Sequence, residues 1–123
     1  MTTITLQPDR IIFDGHAGKP EVCHSLSAIS QMVTGYLAEK KNSRVRIQDG
    51  HLELWNIPDG FFYTDLGNAM AMALFDIADQ YPQYVQIRRC SFHLPFQTRG
   101  HASYFYAQNV TALKASETTH WRY

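Results

Sequence analysis

Val22, Leu26, Ile29 and Val33, then the adjacent Tyr36 and Leu37, recur at three- and four-residue intervals, the mark of a helix with one apolar face. Such a helix is stable only when that face lies on another apolar surface, so the rest of the chain has to supply one. Pro20 suits a first helical position, Glu21 favours the first turn, and Lys40 and Lys41 complement the dipole at the far end. Cys23, Ser27, Ser30, Gln31 and Thr34 form a polar, thiol-bearing strip on the other side.

The flanking segments read as the strands of the missing surface. Ile4 and Leu6 alternate with polar residues, Pro8-Asp9 marks a turn, and Arg10 to Phe13 form a second strand paired with the first. Val45, Ile47, Leu52 and Leu54 flank Asp49-Gly50, a hairpin signal. Thr64 caps a second helix through Leu66, Met70, Ala73, Leu74, Ile77 and Tyr81, which Pro82 stops before a strand over Tyr84 to Ile87. The order strand, strand, helix, hairpin, helix, strand predicts an α+β fold, a two-layer sandwich of a small, mostly antiparallel sheet covered by two helices. Residues 1–88 form that domain. Residues 89–123 are a C-terminal extension rich in aromatic residues, with Tyr104 to Tyr106 a candidate strand, expected to pack on the same domain.

Charge and cysteine usage narrow the function. In 123 residues, 11 Lys and Arg balance 11 Asp and Glu, so no net field draws the chain to nucleic acid. The opening residues alternate as a strand and lack the basic and apolar regions of a signal peptide, and no apolar run reaches the ~20 residues of a membrane span. A cytoplasmic protein with no membrane partner is expected. Cys23 and Cys90 are too few and too far apart for a disulfide framework, and free thiols follow. His16, Cys23 and His24 lack paired zinc-ligand spacing, so neither metal nor cofactor is expected. Ser25, Ser27 and Ser30 lie near His24, yet no Gly-x-Ser-x-Gly elbow accompanies them.

Cys23 falls in the first turn of the first helix, where the dipole favours a thiolate. His16 follows the second strand in Gly15-His16-Ala17-Gly18, and a histidine beside a thiol takes its proton. Backbone amides around Cys23 are candidate donors to an oxyanion. Set against this, a lone cysteine at a helix start is more often a small buried hydrophobe, and a lone loop histidine is more often solvated.

The local words carry more. Phe13 to Gly18 read FDGHAG, Glu21 to Gln31 read EVCHSLSAISQ, and Gln80 to Val85 read QYPQYV. With the Asp49-Gly50 hairpin between them, they resemble the ribosomal-processing cysteine proteases of the Prp family: Gly-His-Ala after a strand, then Val-Cys with a serine four residues on, then Tyr-Pro-x-Tyr-Val. The resemblance spans residues 3 to 88 in matching order. It implies a homodimeric cysteine endopeptidase that removes an N-terminal extension from a ribosomal protein or, in phages, a virion protein. On that reading Cys23 is the nucleophile and His16 the general base, Ser27 supports the site, and Gly15 and Gly18 free the loop. The chain departs from the pattern in the six residues between His16 and Cys23, where the family has a longer loop, in His24-Ser25 after the cysteine, and in the extension. The alternative is a catalytically inactive Prp-fold module that grips a host or virion protein.

Overall fold

A computed structural model describes residues 1–89 and Leu94. Cys90, the second Gly-His-Ala at Gly100 to Ala102, the strand expected over Tyr104 to Tyr106 and the aromatic tail lie outside the described residues. The chain runs β1 (Thr2–Gln7), β2 (Arg10–Asp14), α1 (Pro20–Lys40), β3 (Arg44–Gln48), β4 (His51–Trp55), a 3-10 turn (Phe61–Tyr63), α2 (Asp65–Gln80) and β5 (Val85–Arg89). The strands make one sheet in the order β3-β4-β2-β1-β5. Every pairing is antiparallel except that of β1 with β5, the first and last of the described strands. This is the expected α+β sheet with two helices on it.

Register turns the alternation of each strand into continuous rows. Ile47, Leu52, Phe13, Ile4 and Ile87 stand side by side across all five strands, and Val45, Leu54, Ile11 and Leu6 form the next row. These rows face the helices. Ile4, Leu6, Ile11 and Leu54 are buried with Val22, Val33 and Leu37 of α1 and Leu74 of α2. A one-residue slip would turn every one of these side chains to the other face. That face carries Thr3, Thr5, Arg46, Glu53 and Arg88, with the Arg10 guanidinium 5.6 Å from the Trp55 ring.

The buried stripe of α1 is Val22, Leu26, Ser30, Val33, Thr34 and Leu37. Ser30 and Thr34, expected on the solvated strip, are therefore inside, and Tyr36 is 47% exposed. The reason is local. The hydroxyls of Ser30 and Thr34 donate to the carbonyls of Ser27 and Gln31, so each small side chain satisfies itself without water. The 3-10 turn is the other feature that periodicity missed. Thr64 caps α2 as expected, its hydroxyl oxygen accepting from the Gly67 amide at 3.1 Å. Phe61 and Phe62, packed edge to face, anchor the turn that delivers Thr64 there.

Candidate functional site

Two strand ends and one helix start converge at one end of the sheet. Gly15 is the hinge of the convergence: its amide donates to the Gly50 carbonyl at 2.7 Å, and its carbonyl accepts from the Thr2 hydroxyl at 3.1 Å. Its φ is +93°, and a Cβ there would collide with the Met1 carbonyl, so only glycine fits. The residue launched from this pinned point is His16. Gly18 (φ +84°) then turns the chain into Pro20 and α1.

The result is a cavity of about 210 Å³. Phe13, Leu52 and Ile47 supply its apolar floor, Cys23, Leu26, Ser27, Ser30 and Gln31 its α1 wall, and Gly15, His16, Ala17 and Gly50 its rim. It exists because α1 leaves the end of the apolar row uncovered, and Ile47 is 67% exposed. Of the residues singled out in the sequence, Gly15, His16, Cys23 and Ser27 line the same space, while Gly18 does not reach it. Cys23 is half-buried and in no disulfide.

Other contacts define how each group is held. The imidazole of His16 lies over the hairpin tip, with Nε2 3.5 Å from Asp49 Oδ1 and so close to Gly50 that a Cβ would sit 2.8 Å from that nitrogen. Both partners of that contact are solvent-exposed, so it contributes little to stability. The amides at the start of α1 are engaged. Those of Val22 and Cys23 both donate to the Lys19 carbonyl at 3.0 Å. Glu21 accepts from its own amide, which, with Lys19 nearby, holds its carboxyl below the usual range. The amides around Cys23 are thus committed to the helix, and an oxyanion there needs donors from elsewhere. Among the described residues, the amides of His16, Ala17 and Gly18 in the facing loop donate to no backbone carbonyl.

Below the rim lies a cluster that the sequence reading did not single out. His51 Nδ1 is 2.8 Å from Asp14 Oδ1, and Nε2 is 2.7 Å from Glu53 Oε2. Hydrogen bonds to Asp14 and then to Glu53 raise the pKa of His51, and the bond from His51 lowers that of Glu53. The cluster ties β4 to the end of β2, immediately before Gly15 and His16. Its two carboxylates take opposite nitrogens of one ring, and no group of three or more His, Cys, Asp or Glu among the described residues could hold a metal ion.

No family model and no curated protein matches the sequence. Solved structures do. The essential ribosomal processing protease Prp from S. aureus, in complex with a covalently linked product peptide, matches with a TM-score of 0.60 at 19% identity, over 72% of this chain and 99% of that one. The fold is that of Prp. SMU.848 from Streptococcus mutans shares it (TM-score 0.53, 18% identity, 72% of this chain and 90% of that one). So does a hypothetical protein from Staphylococcus aureus (0.52, 15%, 72% and 99%). Nearly all of the S. aureus Prp chain has a counterpart here. Among the described residues no helix is long and apolar enough to cross a membrane.

The contributions of β3 and β4 to the Prp-fold cavity, Ile47, Gln48 and Leu52, also went unread in the sequence. Their side chains join the site only through pairing across the sheet, and no local word marks that. Cys23 and His16 reach the cavity from junctions that each carry a local signal, a Pro-Glu helix start and a glycine-bracketed loop.

Proposed function

We propose that this chain is a Prp-like cysteine endopeptidase in which Cys23 is the nucleophile and His16 the general base. The observation that carries the reading is that a strand-end histidine and a helix-start cysteine line one open cavity in a chain whose fold is that of Prp. His16 takes the thiol proton, and the Cys23 sulfur attacks a peptide carbonyl to form a tetrahedral oxyanion. The C–N bond then breaks, the leaving amine takes the proton from His16, and a thioester to Cys23 remains. Water, deprotonated by His16, attacks that thioester and releases the acid and the free thiol. Ser27, one turn along α1 from Cys23, contributes a hydroxyl to the wall, and Gly15 and Gly18 set the loop that carries His16.

The reading brings with it a peptide substrate within a larger protein, an N-terminal extension of a ribosomal or phage virion protein, and a homodimeric enzyme. The covalently linked product peptide in the S. aureus Prp supports the peptide part. The experiment is to incubate the full chain with a proteome-derived peptide pool and read new termini by mass spectrometry. New termini that vanish in both Cys23→Ala and His16→Ala fit the proposal. Termini that persist in either variant overturn the dyad.

A second reading draws on the same geometry. His16 leans on Asp49 and Gly50, and the amides beside Cys23 are occupied, an arrangement also fitted to a module that binds a partner protein without cleaving it. Peptides retained by the chain but never cut would favour it.

A further inference from the structure

Beside the cavity runs a strand edge with unused backbone groups. Among the described residues β3 ends the sheet, with β4 on one side and no strand on the other. One contact fixes which of its groups are free. The Gly15 amide bonds the Gly50 carbonyl, continuing the β2–β4 ladder one step past Asp14↔His51 and making Gly15 and Gly50 a bonded pair. Bonded and non-bonded pairs alternate in an antiparallel ladder. Leu52 and Leu54 therefore turn their backbone groups to β2, while His51, Glu53 and Trp55 turn theirs to β3, where Gln48, Arg46 and Arg44 receive them. Val45 and Ile47 are left with N–H and C=O groups along the free edge, and among the described residues these groups meet no backbone partner outside the sheet. Ile47 also lines the cavity that holds Cys23.

We propose that an extended peptide adds to β3 as a further strand, bonding the backbone of Ile47 and Val45, and so presents its scissile carbonyl to Cys23. This rests on the peptidase reading above and supplies its substrate class. Side chains of the added strand alternate between the two faces of the sheet. Those on the helix side continue the row of Ile47, Leu52 and Phe13 and are apolar. Those on the other side lie beside exposed Arg44 and Arg46 and are acidic or neutral, because like charges on paired strands repel. The same arginines argue against a second copy as the occupant, since antiparallel pairing of two β3 edges brings Arg44 and Arg46 of one chain against those of the other. An exposed edge is ordinarily shielded against partners. Here it adjoins an apolar cavity with a thiol in its wall.

The probe is acetyl-Thr-Val-Thr-Val-Leu ending in a chloromethyl ketone, whose methylene carbon bonds the Cys23 sulfur as chloride leaves. Its labelling rate on the full chain is read beside that of iodoacetamide. Methylating the probe's amides one at a time should slow labelling about tenfold at every second residue and little at those between, the period of strand pairing. Ile47→Pro, which removes the edge amide where an edge strand tolerates proline, should also slow it about tenfold. Ile47→Ala, which keeps the amide, should slow it less than about threefold. Labelling indifferent to amide methylation overturns strand addition. Cys23 that reacts sluggishly with iodoacetamide and probe alike overturns the peptidase reading instead. In that event the same methylation series on the peptide amide, titrated by calorimetry into Cys23→Ala, decides strand addition alone. If Ile47→Pro splits a dimer in sedimentation and leaves peptide labelling unaltered, the edge belongs to a second copy and the proposal falls.

Discussion

Single side chains divide into those that hold the site and those that act in it. His51 belongs to the first group. Its folded pKa is raised by Asp14 and Glu53, so its stabilisation is complete below the ordinary value of 6.5 and is lost as pH rises through the raised value. Glu53 has a lowered pKa, so its share is present above the ordinary 4.5 and is lost as pH falls through the lowered value. The cluster therefore stabilises most between 4.5 and 6.5. Thermal denaturation should give a Tm that declines from that window toward pH 9, and His51→Gln should flatten the decline. An unaltered profile in His51→Gln would show that the cluster does not couple to folding. Gly67 makes a plainer case. A Cβ there would run into the Phe61 carbonyl and crowd Phe62, both rigid, so Gly67→Ala should destabilise by about 1–3 kcal/mol in urea titrations despite alanine's better helix propensity. Nothing in the sequence near either residue announces these roles, because the contacts that create them cross from β4 to β2 and from α2 back to the 3-10 turn.

Secondary-structure elements were the most legible part of this chain, for reasons that differ from one to the next. The β3–β4 hairpin was readable because Asp49-Gly50 is turn chemistry between alternating apolar residues, and Gly50 takes the required positive φ of 69°. The two ends of α1 were readable from Pro20 and Lys40. Its buried face differs from the apolar pattern at Ser30, Thr34 and Tyr36, since the hydroxyls of Ser30 and Thr34 bond carbonyls of their own helix and so tolerate burial, while Tyr36 stands exposed. The α2 start was readable from Thr64, whose hydroxyl both donates to the Phe61 carbonyl and accepts from Gly67. Thr64→Ala should therefore cost about 1 kcal/mol, measurable as a lower urea midpoint with an unchanged slope. The start of α1 has no such side-chain cap. Lys19 and Glu21 stand there instead, their charges 3.5 Å apart and exposed enough that the pair contributes little.

Among the described residues, the sandwich places a thiol and an imidazole on one cavity at the β3 end of the sheet. The apolar row reaches the edge of the helix layer at Ile47, and the gap left there is the cavity that Cys23 lines. Fold and cavity thus have one origin: α1 packs on the sheet core but leaves Ile47 of the edge strand uncovered. Core and site should then be separable. Leu37→Ala, at the far end of α1 from Cys23 and 1% exposed, should lower stability by about 2–5 kcal/mol while leaving the labelling rate of Cys23 in the folded protein unchanged. Cys23→Ala and His16→Ala should abolish peptide cleavage with little change in Tm. The decisive measurement is the rate of iodoacetamide labelling of Cys23 against pH, in a Cys90→Ala background, with and without His16→Ala. An activated pair predicts labelling that stays fast well below pH 8.5, about where an ordinary thiol becomes half ionised, and slows sharply when His16 is removed. Labelling that follows an ordinary thiol and ignores His16 would contradict the account and leave a Prp fold that binds without cutting.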